Sequence, residues 1–229
     1  MLHRPLEGMP KLATISRSST GKWYVCCSCE CAEPSPWPES GRPVGIDVGV
    51  KTFATLSTGQ ESANLRCFRA EEKPLAKVTR RLSTEEKGTI QRARRRRIVA
   101  RVHERSAWRR SDFTHQHSRQ LGDACDLIVV EDVSVKRMTH HPCLAKSMHD
   151  AAWSQFTDLL SYMAAGAGRR YVAVNPADTS QDRSQCGHRQ PLSLSDRIST
   201  GPCCGIVLDR DDNACLNILR LGQQSLASA

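Results

Sequence analysis

Three short apolar runs lead into acids, and that pattern constrains the fold more than any other feature of the chain. Val44-Gly45-Ile46 closes on Asp47, and Leu127-Ile128-Val129-Val130 closes on Glu131. Ile206-Val207-Leu208 precedes Asp211 and a helix-like stretch. The first two runs are short, β-branched and of strand type. An acid at the end of a buried strand is costly unless it is paired or holds a metal. Three converging acids suit Mg²⁺, a hard cation that prefers oxygen ligands.

The charge distribution adds a second constraint. The 229-residue chain carries a formal +9. Residues 66–110 hold sixteen Lys and Arg against five acids, a local +11 that leaves −2 for the remainder. Such an excess favours a polyanionic partner. Metal-binding acids beside phosphate-binding charge point to hydrolysis of nucleic acid.

The length allows one sizeable domain plus appendages. Eleven scattered cysteines, an odd number, do not form a disulfide framework. No signal peptide follows Met1, and no apolar stretch reaches membrane-spanning length. These features predict a cytoplasmic protein with reduced thiols and no membrane partner.

The pattern predicts a hairpin over 11–31, a Pro-rich linker, then strands at 44–50 and 52–57. Helices are expected over 71–82 and 89–121, broken at Lys87-Gly88, with capping-box spacing between Ser83 and Glu86. A strand at 126–131, a helix at 145–165, a strand at 171–174 and a helix from Asn213 stopped by Gly222 complete the reading. Strands alternating with helices indicate a mixed α/β sheet.

The first acidic segment, Val44 to Leu56, resembles the first nuclease motif of the TnpB/OrfB family of insertion-sequence proteins, relatives of type V CRISPR effectors. Leu127 to Asp132 resembles the second motif. Thr179-Ser180-Gln181 through Asp209-Arg210-Asp211-Asp212-Asn213-Ala214 resembles the zinc ribbon and third motif. The resemblance extends from about Lys11 to Gly222. It implies an RNase H-like (RuvC-like) mixed sheet with an inserted basic helical hairpin and a small zinc-ribbon-like insertion. It also implies that Asp47, Glu131 and Asp211 bind Mg²⁺ or Mn²⁺ and cut DNA, guided by RNA. Asp211 is chosen because it stands two residues before Asn213, leaving Asp132, Asp209 and Asp212 as surface or capping acids. Gly49 is expected to leave room beside Asp47 for a phosphate.

Arg92, Arg94, Arg95, Arg96, Arg97, Arg101 and Arg105 are expected to bind nucleic-acid phosphates, because consecutive arginines on a helix repel one another and exceed what solubility requires. Trp108 could stack on a base, with the core as the expected place for it. The ribbon departs from the family pattern. Cys186 and Cys204 stand in two of its zinc positions, but Arg183 and Gly201 occupy the other two. Cys203 and His188 are the nearby substitutes, although Cys203 adjoins Cys204. A lost or weak Zn²⁺ site follows, with residues 178–205 loosely packed. Cys26-x2-Cys29 has metal-like spacing, but residues three apart on a strand face opposite ways. His140-His141 reads as loop.

The resemblance divides the chain into a residual hairpin (1–34), a linker (35–43), a nuclease domain (44–177), a degenerate ribbon (178–205) and a third motif with its helix (206–229). Family proteins carry a longer N-terminal region that recognises guide RNA and a target-adjacent motif, so a truncated copy is expected. The implied function is a Mg²⁺-dependent, RNA-guided DNA endonuclease associated with transposition. The alternatives are a nucleic-acid-binding regulator without catalysis and a decaying remnant.

Overall fold

The structure, a computed structural model, describes residues 6, 8–31, 36–132, 152–177, 179–189, 197–200, 205 and 207–228. The chain forms two compact units, Met1–Ser35 with Cys67–Arg109, and Pro36–Arg66 with Arg110–Ala229.

In the first unit, β1 (Met9–Arg17) and β2 (Trp23–Glu30) form the expected hairpin, with Arg17 opposite Trp23. Gly21 adopts φ 90 and closes the turn, its N–H donating to the Ser18 carbonyl at 2.9 Å. Helix α1 (Cys67–Ser83) leads into α2 (Ile90–Ala124), the later part of which belongs to the second unit. The break comes at Gly88, whose φ is 90. The expected capping box is absent: the Ser83 hydroxyl donates back to the Arg80 carbonyl at 2.7 Å. Thr89 caps α2 instead, accepting from the Arg92 N–H at 3.2 Å.

The second unit is built on a five-stranded sheet in the order β5-β4-β3-β6-β7. Its strands are β3 (Pro43–Val48), β4 (Thr52–Leu56), β5 (Glu61–Ala63), β6 (Leu127–Glu131) and β7 (Arg170–Val174). β3, β4 and β5 pair antiparallel, while β6 and β7 continue parallel to β3. The sheet is therefore mixed, as expected. Helices α3 (Trp153–Gly166) and α4 (Arg210–Ala227) complete the unit, with a short pair, β8 (Ile198–Thr200) and β9 (Val207–Asp209), before α4. The first part of the expected 145–165 helix, and His140-His141, lie outside the described residues.

Strand alternation divides the core into two layers. Val44, Ile46, Ile128 and Val130 pack with Phe53, Trp153, Phe156 and Leu160, joined by Phe113 and Leu121 from the end of α2. Val129, Val172 and Val174 pack with Ile218 and Leu219 of α4. The helix lies unusually close to the sheet. A Cβ built on Gly45 would stand 2.2 Å from the Cys215 carbonyl oxygen, and one on Gly222 would stand 2.5 Å from both Val129 methyls. Gly222 thus does not stop the helix, contrary to expectation. It sits mid-helix because Val129 leaves no room for a side chain.

The expected Pro-rich linker is pinned to this unit from Pro36 onward. Asp126 accepts from the Ser40 N–H at 2.9 Å, and the Arg169 guanidinium donates to the Pro38 carbonyl at 2.8 Å. No helix among the described residues is long and apolar enough to cross a membrane.

Candidate active site

Pairing of Ile46 with Val130 sets Asp47 and Glu131 side by side at the C-terminal ends of adjacent parallel strands. Alternation turns both toward the α4 face, the face shared by Gly45 and Val129. The close approach at Gly45 then brings in the first turn of α4, which carries Asp211 and Asp212. Asp209 is the N-cap of this helix and accepts from the Asp211 N–H at 2.8 Å, so its capping role is as expected.

The electrostatics record the convergence. The half-buried Asp47 carboxyl is pushed up to about 8, first by burial, then by the charges of Glu131 and Asp211. The Arg210 guanidinium opposes that rise in part. Burial also raises Glu131, against the hydrogen bond it accepts from the Thr179 hydroxyl. Asp212 is raised by burial and by Asp209 and Asp211. Burial pushes the Cys215 thiol, on the same helix, up to about 12.

Hard oxygen donors with one carboxyl pushed up by burial and by its acidic neighbours fit a divalent cation, whose charge would offset that penalty. Among the described residues, however, no three acid, histidine or cysteine side chains already form a closed metal-binding group. Asp211 is engaged elsewhere: Arg197 donates to it at 3.1 Å and Arg210 at 3.3 Å. Neither arginine was singled out by sequence reasoning: Arg197 is fourteen residues away in sequence from its partner, and Arg210, adjacent to Asp211, stood only as part of the third motif.

Gly49 has a local structural role. Its N–H donates to the Phe53 carbonyl at 3.2 Å, and a Cβ there would meet the Thr52 carbonyl oxygen at 2.9 Å. The tight β3–β4 turn explains the glycine.

The segment after β7 is firmly held where it is described, against the expectation of loose packing. Thr179 and Arg183 are buried. Asn213 donates to the Asp182 carbonyl at 2.8 Å and accepts from the Ser184 N–H at 2.9 Å. Asn217, one turn on, donates to the Thr179 carbonyl at 2.9 Å. Asp182 and Arg189 form a bridge and an ion pair at 2.8 Å. Cys186 is exposed, while Gly201, Cys203 and Cys204 lie outside the described residues. The two asparagines were legible only as polar positions, four apart, on a helix face otherwise occupied by Ala214, Cys215 and Ile218.

The basic helix divides in two. Arg94, Arg96, Arg97 and Arg101 are exposed. Arg95 pairs with Glu85 at 3.4 Å and Arg105 with Glu71 at 3.7 Å. Arg92 is half-buried and donates to the Leu82 carbonyl at 3.1 Å and the Glu85 carbonyl at 2.6 Å. The consecutive-arginine pattern could not separate it from its neighbours. Trp108 is exposed, contrary to expectation, with the Lys22 ammonium 4.1 Å from its ring centroid. Lys22 is fixed there by Glu104 at 2.8 Å.

Comparison with known proteins agrees with this architecture. Cas12f1, solved in a complex with sgRNA and target DNA, superposes with a TM-score of 0.58 at 16% identity, covering 90% of this chain and 55% of that one. A Streptomyces pristinaespiralis protein named "Putative RNA-guided DNA endonuclease" is 39% identical over 96% of this chain. InsQ of Escherichia coli K12, given the same designation, is 30% identical over 98%. The chain spans 55% and 60% of the length of these two relatives. Residues 153–218 match the Cas12f1-like TNB domain. Residues 26–141 match OrfB_IS605, described as a probable transposase, and the chain belongs to that family.

Proposed function

We propose that the second unit is a RuvC-like, RNase H-type nuclease fold and that the protein hydrolyses DNA phosphodiesters with the help of a divalent cation. The observation that carries this reading is the placement of Asp47 and Glu131 side by side at the ends of adjacent parallel strands, where burial and the charges of Glu131 and Asp211 push the Asp47 carboxyl up to about 8. Perturbed acids gathered at strand ends are candidates for a reaction centre. Asp47, Glu131 and Asp211 would hold Mg²⁺ or Mn²⁺. A bound cation would supply electrophilic stabilisation of the charge that builds on the phosphoryl oxygens. Glu131 enters with its carboxylate already oriented by Thr179. Asp211 has to exchange its ion pairs with Arg197 and Arg210 for the cation.

Arg94, Arg96, Arg97 and Arg101 supply sequence-independent phosphate contacts. Guide RNA and target DNA are the proposed partners, in line with the names of the relatives. A second reading, nucleic-acid binding without cleavage, is favoured by one observation: two guanidinium groups compete with any cation for Asp211. The test is to incubate the purified chain with single-stranded and supercoiled DNA, with and without RNA, in Mg²⁺, Mn²⁺ or chelator. Cutting that needs the cation and vanishes in Asp47→Ala supports the nuclease reading. Binding without cutting under every condition supports the second.

A further inference from the structure

Thr179 is buried, and its hydroxyl has two acceptors, the Glu131 carboxylate and, at 3.2 Å, the Pro176 carbonyl. One hydroxyl carries one proton. Which acceptor it serves therefore depends on where the loop holds the Thr179 backbone. That placement is set from α4. Asn217 donates to the Thr179 carbonyl at 2.9 Å and also to that of Asp182. Asn213 donates to the Asp182 carbonyl and accepts from the Ser184 N–H. Both asparagines are almost fully buried, at 2% and 1% exposure, so each hydrogen bond is sheltered from water. The same helix carries Asp211 in its first turn. One rigid element thus bears one carboxylate and, through two asparagines and a loop, fixes the hydroxyl that orients another.

We propose that Thr179 is a positioning residue that aims the Glu131 carboxylate for cation binding. Asn213 and Asn217 form the latch that keeps it there. The inference rests on the proposed metal-dependent reading. A partner that fixes the orientation of a ligating carboxylate typically changes metal affinity by about 10–100-fold when it is lost. The latch sits on residues 179–184, at the start of the 178–205 segment where a degenerate zinc ribbon was expected, so it orders this stretch through amide side chains.

The experiment measures Mn²⁺ binding to the full chain by electron paramagnetic resonance, with thermal unfolding in chelator recorded for each variant. Thr179→Val keeps the shape and removes the hydroxyl; Thr179→Ser keeps the hydroxyl. The expected result is a Mn²⁺ dissociation constant raised about tenfold or more in Thr179→Val, with Thr179→Ser close to the parent and both unfolding near the parent temperature. Asn217→Asp, which loses the donating amide, should weaken Mn²⁺ binding in the same direction. Equal Mn²⁺ affinity in Thr179→Val and the parent would overturn the positioning role while leaving the metal site intact, provided Asp47→Asn still abolishes binding. If the parent itself binds no Mn²⁺, the metal-dependent reading falls, and this inference with it.

Discussion

Gly45 lies so close beneath α4 that a Cβ on it would stand 2.2 Å from the Cys215 carbonyl oxygen and 2.8 Å from the Leu219 Cβ. This contact brings the first turn of α4, and Asp211 with it, to the strand end that carries Asp47. Gly45→Ala must push the helix off the sheet, because a backbone carbonyl cannot rotate away as a side chain does. The substitution should destabilise the protein by about 1–3 kcal/mol, the usual range for overpacking, or more. Chemical denaturation measures this. Divalent-cation binding should weaken in parallel, since Asp211 moves with its helix. A Gly45→Ala protein of parental stability would show that the close approach is not rigid.

Asp47 predicts an unusual pH dependence. Its folded value of about 8 lies above the ordinary value near 3.9. The folded chain therefore holds a proton that the unfolded chain releases. The stability this confers is complete at pH values below about 4 and is lost as pH rises through about 8. In chelator, the melting temperature should fall over that interval, and Asp47→Asn should flatten the fall and melt higher than the parent at pH 8. Adding Mg²⁺ to the parent at pH 8 should restore stability, because the cation replaces the proton. A flat profile in the parent would show that Asp47 is ionised without penalty.

The arginines of α2 should separate by function. Replacing Arg94, Arg96, Arg97 and Arg101 with Gln should lower the dependence of DNA affinity on salt, by about 0.9 in slope for each lost phosphate contact. Stability should change little, because these side chains are exposed. Arg92→Gln should do the reverse: it removes the donor to the Leu82 and Glu85 carbonyls and lowers the melting temperature with little change in salt slope. Titrations at several salt concentrations, followed by fluorescence anisotropy, distinguish the two patterns.

The strands that carry Asp47 and Glu131 were legible because a short, continuous apolar run rich in β-branched residues acts locally, and both faces of each strand are buried. Asp211 was legible by resemblance, while its placement depended on a contact that no local pattern reveals, the packing of Cys215 on Gly45. Trp108 was misread, and Arg92 could not be told from its exposed neighbours, for the same reason: whether a helical residue faces carbonyls, a lysine or solvent depends on its tertiary neighbours. The loose ribbon was inferred from missing zinc ligands. Zinc is only one way to order a loop, and the hydrogen bonds of Asn213 and Asn217 order residues 179–184 another way.

The central claim is that Asp47, Glu131 and Asp211 together hold a divalent cation. The most direct measurement is a crystal structure of the chain grown with Mn²⁺, with data collected to locate manganese by anomalous scattering. The account predicts a manganese peak in contact with Asp47 and Glu131, with Asp211 released from Arg197 to join them, and no such peak in Asp47→Asn. Manganese found only elsewhere, or Asp211 still paired with Arg197 beside an empty acidic cluster, would contradict it.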